Sequence, residues 1–102
     1  DLKENKLGGA EVRQVFRVPK FGAVAGCYVQ DGVIERNATI RILRDGVVLS
    51  TRRLASLKRF KEDVGKVEAG FECGLSLIDF QDIKEGDTLE AFVTEEVAAS
   101  LT

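Results

Sequence analysis

The feature that most restricts the fold is the stretch from residue 70 to residue 77, where every second side chain is apolar. This spacing is the period of a β-strand with one face in a core. The apolar side chains are those of Phe71, Cys73, Leu75 and Leu77. Gly74 and Ser76 leave the opposite face almost bare, and a bare strip of backbone beside a thiol can admit a small ligand.

The other cysteine of the chain, Cys27, stands in a similar stretch, residues 23–29, with small neighbours and an adjacent glycine. Glycine within a strand often marks a bulge or the close approach of a ligand, so we expect Cys27 and Cys73 to be neighbours around one shallow site. Two alternatives stay open. Both thiols could be ordinary small core residues, or a disulfide between them could form a redox switch.

The composition predicts one domain that binds a ligand without reacting. A chain of 102 residues, of which 44% are apolar, builds a single core. It contains no histidine, no CxxC motif and no carboxylates at EF-hand spacing, so we expect no metal and no cofactor. It also lacks a nucleophile-elbow motif and a GxxxxGK[ST] phosphate loop, which argues against an enzyme.

Further expectations concern the cellular context. The sequence shows no charged leader before an apolar run and no long apolar stretch, so we expect a cytoplasmic, reduced monomer without a membrane segment. The chain begins at Asp1 and contains no Met. We therefore expect it to be a piece of a longer protein.

Charge is divided between the two halves of the chain. Residues 1–61 carry thirteen Lys and Arg against six Asp and Glu, whereas residues 62–102 carry two against eleven. The densest basic run, residues 52–61, sets Phe60 among Lys58, Arg59 and Lys61. Cations that meet phosphates and a ring that stacks on a base are the parts of a site for single-stranded nucleic acid. The alternative is a solvated face that pairs with the acidic half.

Alternation and turn residues predict the other strands. Residues 10–18 form a strand with a bulge near Gln14, and Pro19 ends it. Asp31-Gly32 and Asp45-Gly46 predict two type I′ hairpins, because both central residues of that turn need positive φ. Further strands are predicted at residues 23–30, 38–44, 47–50 and 88–97, with a loop and a short strand at 61–70 and a turn-rich corner at 79–87.

This pattern predicts an all-β fold, a small closed antiparallel β-barrel of about six strands. We expect residues 10–98 to form the barrel. Residues 1–9 are expected to be a loosely held linker remnant, and residues 99–102 a C-terminal tail.

Five segments together resemble the C-terminal domain of bacterial translation initiation factor two. They are EVRQVF (residues 11–16), AGCYV (25–29), RDG (44–46), ASLKRFK (55–61) and FECG (71–74). Residues 69–75 with 82–89 are also similar to the barrel domain that follows the nucleotide-binding domain in translational GTPases. The resemblance covers residues 11–97.

The resemblance implies a six-stranded antiparallel barrel that binds the formylmethionyl and 3′ CCA end of initiator tRNA. Through the parent protein this domain would help bring the tRNA to the ribosome. Any GTP hydrolysis would belong to a nucleotide-binding domain outside this chain. The alternative function is a spacer or protein-interaction barrel of a translational GTPase that does not contact RNA.

The resemblance also implies which residues bind the tRNA end. The matching positions are Cys27, Lys58, Arg59, Phe60, Glu72, Cys73 and Gly74, with Gly26 and Lys61 as additional RNA contacts. The family has Phe or Tyr at position 60, so stacking is kept here while a phenol hydrogen bond is absent. Arg52 and Arg53 have no counterpart in the family's pattern.

The chemistry of these residues suits the implied ligand. An N-formyl group removes the ammonium charge of an aminoacyl end, so a dry pocket of thiols and glycines can accept it, whereas a free ammonium would lose its hydration without compensation. We expect the thiols to contact the methionine side chain, and backbone N–H groups beside Gly74 to bond the formyl or ester oxygen. Lys58 and Arg59 would hold phosphates and Phe60 would stack on the last adenine. Glu72 would orient Arg59, accept from a ribose 2′-hydroxyl, or simply be an exposed strand residue.

Overall fold

The structure, a computed structural model, describes residues 2–19 and 22–96. Eight β-strands make up most of these residues, and no helix that could span a membrane occurs among them. In chain order the strands are β1 (Leu2–Val18), β2 (Gly22–Glu35), β3 (Thr39–Arg44), β4 (Val47–Arg59), β5 (Glu62–Asp63), β6 (Lys66–Glu68), β7 (Glu72–Leu77) and β8 (Thr88–Glu96).

Six of these strands close into an antiparallel ring. The order of hydrogen-bonded neighbours is β1, β8, β3, β4, β7 and β2, and β2 pairs back with β1. The short strands β5 and β6 pair with β4 and β2 outside this ring. The predicted all-β fold, a closed antiparallel barrel of about six strands, is confirmed.

Alternation of buried and exposed side chains builds the core inside the ring. Every second residue of β2 from Ala23 to Val29 is buried, as expected for a strand with one face in the core. The largest fully buried side chains include Ile34, Ile40, Ile42, Leu57, Leu75, Ile83 and Leu89. The core therefore draws on most strands of the ring.

One of the two predicted hairpins is present and the other is not. Asp45 and Gly46 have φ angles of 54° and 79°, and they join β3 to β4 as the predicted type I′ turn. The Asp31-Gly32 prediction is wrong, because β2 continues through this pair. Gly32 lies opposite Gly8 of β1, and a Cβ at Gly32 would collide with the Leu7 carbonyl oxygen. Gly32 therefore allows β1 and β2 to approach closely and does not reverse the chain.

The segment predicted to be a linker, residues 1–9, forms a strand from Leu2 onward. This part of β1 pairs with β8, from Leu2 opposite Glu96 to Glu11 opposite Thr88. Its polar composition favours a linker, but in the fold these polar side chains pair with other strands. The Glu4 carboxylate, for example, accepts from an Arg41 Nη atom at 2.9 Å. The predicted tail, residues 99–102, lies outside the described residues.

The bulge predicted near Gln14 is confirmed. Val12 lies opposite Cys27 and Gln14 opposite Gly26, so Arg13 is an extra residue without a partner of its own on β2. A β-bulge of this kind bends the strand and changes the direction of a side chain. Strand β1 then ends at Val18, immediately before Pro19, as predicted.

An ion pair fixes the turn-rich corner between β7 and β8. Asp87 is buried, and its two carboxylate oxygens accept from Nε and an Nη atom of Arg44, each at 2.9 Å. The Lys84 backbone N–H donates to the same carboxylate at 2.9 Å. Burial raises the pKa of Asp87, but the hydrogen bonds from Arg44 and Lys84 outweigh it, so the pKa lies below its usual value.

Candidate nucleic-acid interface

The candidate site lies where β2 and β7 run side by side. Gly26 lies opposite Gly74, and Cys27 lies opposite Cys73, one residue further along each strand. The two cysteine segments, 46 positions apart in the sequence, are therefore direct neighbours in the sheet. This is the adjacency expected from the two Gly/Cys pairs.

The cysteine side chains face the core and not the outer surface. Cys27 is 2% exposed and Cys73 is 5% exposed, both belong to the core cluster, and both thiols are free. Burial, with the nearby Cys73, raises the pKa of Cys27, and burial raises the pKa of Cys73 to about 11 although Arg59 lowers it. The thiols are thus neutral at physiological pH. They offer a ligand little surface, and their expected contact with a methionine side chain stays a prediction.

Glycine forms the floor of the site on the outer face of the sheet. The position of a Cβ on Gly74 would have its nearest neighbour, Val24 Cγ1, at 3.9 Å, and the space beyond is open. A Cβ on Gly26 would touch the Phe16 ring at 3.4 Å. On the neighbouring strands β1 and β4, Gln14 lies opposite Gly26 and Lys58 lies opposite Gly74. A bare strip of backbone thus runs between two polar side chains.

A cavity of about 790 Å³ stands over this floor. Its lining residues are Arg13, Gln14, Phe16, Gly26, Cys27, Tyr28, Lys58, Arg59, Phe60, Gly70, Phe71, Glu72, Cys73 and Gly74. All seven residues predicted to bind the tRNA end are in this set, and so is the additional residue Gly26. Lys61, the other additional residue, is not on the cavity wall. Their gathering is a geometric finding, and their binding of RNA stays a prediction.

Arg59 is held on one wall of the cavity by two rings and one backbone bond. Its guanidinium carbon lies 4.8 Å from the centre of the Phe60 ring and 4.7 Å from the centre of the Phe71 ring. Its Nε–H donates to the Glu72 carbonyl oxygen at 3.0 Å. Glu72 therefore orients Arg59 through its backbone, while its side chain is exposed. Stacking and one fixed donor together restrict the guanidinium to one orientation.

A strained turn carries the exposed aromatic ring. Strand β4 continues through the basic run to Arg59, and Phe60 and Lys61 then form the two-residue turn into β5. Both have positive φ, 51° and 69°, which costs roughly 1–2 kcal/mol for a residue with a side chain. Phe60 is 86% exposed. Such strain persists where the surrounding structure imposes it, and it is common at binding sites.

The opposite wall of the cavity contains residues that the sequence reasoning did not select. Arg13 lies over the Tyr28 ring at 5.0 Å, and its Nε lies 3.1 Å from the Glu11 carboxylate. Phe16 on β1 and Phe71 before β7 are half exposed beside the floor. The bulge predicted near Gln14 was the available signal, because bulges often lie next to functional sites and redirect side chains toward them.

The arrangement suits binding of a small neutral group joined to an anionic chain. The floor supplies backbone groups, and Lys58 and Arg59 supply cations for phosphates. Exposed rings supply surfaces on which a base can stack. Among residues 2–19 and 22–96, no group of three or more metal-binding side chains comes together.

The chain is similar to bacterial translation initiation factors over nearly its whole length. The chain is 58% identical over 100 residues to translation initiation factor IF-2 of a Nitratiruptor species, 98% of this chain and 12% of that protein. It is 57% identical over 100 residues to translation initiation factor IF-2 of Trichlorobacter lovleyi, 98% of this chain and 10% of that protein. The chain thus spans only about a tenth of the length of these relatives.

A solved structure shares the fold at low sequence identity. The structure of GDP-bound aIF5B from Aeropyrum pernix matches with a TM-score of 0.69 and 18% identity, over 87% of this chain and 17% of that chain. Residues 22–90, from β2 into β8, match the family described as elongation factor Tu domain 2. The match extends over more than half of the sequence, so this chain belongs to the elongation factor Tu domain 2 family.

Proposed function

We propose that this domain binds the formylmethionyl and 3′ CCA end of initiator tRNA, as part of a translation initiation factor, and has no catalytic activity of its own. The single observation that carries the proposal is the glycine floor between β2 and β7, with the ring-stacked Arg59 beside it. The relatives named translation initiation factor IF-2 support it, because their sequences match nearly the whole chain.

The floor explains how a formylated end could be preferred. A glycine strip presents backbone groups that can bond a formyl or ester oxygen, and it has no side chain in the way. A free α-ammonium would lose hydration on entering, and among the described residues that line the cavity Glu72 is the only acidic one. Its side chain is exposed to solvent, so it gives the ammonium little compensation. The formyl group removes this penalty by removing the charge.

The walls explain how the RNA end could be held. Lys58 and Arg59 lie next to the floor and would contact phosphates near the terminal nucleoside. The exposed Phe60 ring would stack on the terminal adenine, for which base stacking contributes about 1–3 kcal/mol. In the full-length parent, we propose that a separate nucleotide-binding domain hydrolyses GTP and that this domain helps to bring the tRNA to the ribosome.

Protection of the aminoacyl ester tests the proposal. Bound formylmethionyl-tRNA should lose its ester by alkaline hydrolysis more slowly when this domain is added. Arg59→Ala should remove the protection while the barrel stays folded. Arg53→Ala is the matched control, because Arg53 is an exposed arginine on the same strand that does not line the cavity. Equal protection by the native domain and Arg59→Ala would contradict the assignment of the site.

One observation favours a second candidate function, a protein-interaction barrel. Val47, Val48 and Leu49 are 61%, 50% and 39% exposed at the start of β4. Here β4 pairs with β3, and its pairing with β7 begins only at Leu54. An exposed apolar strand edge is suited to contact with another polypeptide. This function is supported if no formylmethionyl ester binds and Val48→Lys abolishes binding of the domain to the rest of its parent protein or to ribosomes.

A further inference from the structure

We propose that Arg13 is a second phosphate-binding residue of this site, acting from the wall opposite Arg59. The inference rests on the proposed function, since it takes the ligand to be the aminoacylated end of a single-stranded RNA. It concerns a part of the cavity to which no role has been given above, the wall built by β1 and the outer face of Tyr28.

The bulge in β1 accounts for the position of Arg13. In a regular strand Arg13 would have its own partner on β2, with its side chain on the face opposite that of its neighbours. Here Val12 and Gln14 face consecutive residues of β2, and Arg13 is the extra residue between them. Its guanidinium lies over Tyr28, whose side chain is on the outer face with the glycine floor. The bulge thus brings a cation to the rim of the cavity.

Arg13 and Arg59 are each held by a polar contact through Nε and by an aromatic ring. The Nε–H of Arg59 donates to the Glu72 carbonyl oxygen, and Nε of Arg13 lies 3.1 Å from the Glu11 carboxylate in an ion pair. Each guanidinium also lies on an aromatic face. Within the part of the chain that the structure describes, the two Nη atoms of Arg13 have no hydrogen-bond partner. A fork of two N–H-bearing nitrogens fixed in this way is suited to a bidentate contact with phosphate.

Arg13 and Arg59 extend from strands on opposite sides of the glycine floor. The floor strands β2 and β7 lie between β1 and β4, so Gln14 and Lys58 are three strand spacings apart, about 14 Å. Each guanidinium is held on its own side of the floor, Arg13 by Glu11 and Tyr28 and Arg59 by Glu72 and Phe71, so each is assigned a phosphate of its own. A terminal nucleoside with its amino acid on the floor would place one phosphate near Lys58 and Arg59. The preceding phosphate of the single strand is then the group available to Arg13.

Two synthetic ligands separate this inference from the proposed function. Formylmethionyl-adenosine carries no phosphate, whereas the formylmethionyl ester of the trinucleotide CCA carries two phosphodiesters. Titrations of the labelled domain would compare the native sequence with Arg13→Ala, and with Arg13→Gln as a second variant that keeps a polar stem. Arg17→Ala is the control, since it removes an arginine from the same strand without touching the cavity wall.

Arg13→Ala is expected to weaken binding of the trinucleotide ester about tenfold and to leave the affinity for the adenosine ester within about twofold. The slope of log affinity against log salt concentration for the trinucleotide ester should fall by about 0.7. Arg13→Gln should show the same changes as Arg13→Ala. Arg17→Ala should bind both esters as the native domain does. Equal affinity of native and Arg13 variants for the trinucleotide ester overturns the inference alone, and so does an equal loss for both esters. Absence of binding by the native domain overturns the proposed function instead.

Discussion

Gly26 of β2 and Gly74 of β7 lie directly opposite each other on the outer face of the barrel, and together they make the floor of the candidate site. Both belong to strands whose inward residues pack in the core. A glycine at such a position weakens the strand, because glycine has a low β-propensity and no side chain to pack against its neighbours. The pair is explained if a ligand occupies the space that two side chains would fill.

Gly74→Leu tests this interpretation of the floor. Gly74 does not have a positive φ, and a Cβ there meets no atom closer than 3.9 Å, so the substitution should leave the barrel folded and its unfolding temperature unchanged or raised. The side chain would extend into the cavity and should weaken binding of formylmethionyl-adenosine by about tenfold or more. The control is Gly65→Leu, another glycine with open space around it that lies outside the cavity. Unchanged binding by Gly74→Leu would show that the floor is not used.

The left-handed turn beside Arg59 leads to a prediction about stability. Lys61 has a φ of 69°, and glycine adopts this conformation without the steric penalty of a side chain. Lys61→Gly should therefore raise the free energy of unfolding by about 0.5–1 kcal/mol, measured by urea denaturation. Glu62→Gly, at the next residue, where φ is not positive, should lower it by about 0.5–1 kcal/mol. The same sign for both variants would argue against strain in the turn.

The Arg44–Asp87 ion pair predicts how stability depends on pH. The folded-state pKa of Asp87 lies below its usual value, so its contribution is fully present above the unfolded pKa of about 3.9 and is lost as pH falls through the folded pKa. Asp87→Asn should lower the free energy of unfolding at pH 7 by about 2–3 kcal/mol and should flatten its fall below pH 4.

Asp82→Asn is the control for this ion pair. Asp82 is exposed and lies 3.5 Å from the same arginine, so its loss should change the free energy of unfolding by less than about 1 kcal/mol. Denaturation curves of the three proteins between pH 3 and pH 7 would decide. A larger effect of Asp82→Asn than of Asp87→Asn would contradict the assigned roles.

The buried thiols predict low reactivity in the folded protein. The pKa of both is raised, that of Cys73 to about 11, and the thiolate is the form that reacts. Iodoacetamide at pH 8 should label neither cysteine while the barrel is folded, and should label both in denaturant, as measured by mass spectrometry. Mild oxidant should likewise leave two free thiols. Rapid formation of a Cys27–Cys73 disulfide under these conditions would revive the redox-switch hypothesis.

The sequence was sufficient for the central strands, for one of the two hairpin turns and for bringing the candidate site residues together. Alternation in residues 23–29 and 70–77 predicted strands whose glycines share one face, and the pairing of Gly26 with Gly74 follows from a shared register. The Asp45-Gly46 turn was predictable because the two residues that it needs stand between two clear strands. Where local residues and local structure agree in this way, sequence patterns are reliable.

Features that depend on distant partners were not predictable from local patterns. Gly32 looked like a turn residue, but its role is set by the crossing of β1, which lies more than twenty residues earlier. Arg13 received no role, since only the bulge and the partner Tyr28 bring it to the cavity. The direction of the Cys27 side chain likewise depends on which face of β2 meets the core.

Binding of the formylated end at the glycine floor is tested most directly by titrating the isotopically labelled domain with formylmethionyl-adenosine and, in parallel, with unformylated methionyl-adenosine. Amide chemical shifts report the binding. Binding at the glycine floor predicts shifts that saturate at the amides of Gly26, Glu72 and Gly74 with the formylated ester, and much weaker binding of the unformylated one. Shifts confined to residues away from the floor, or equal affinity for the two esters, would contradict it.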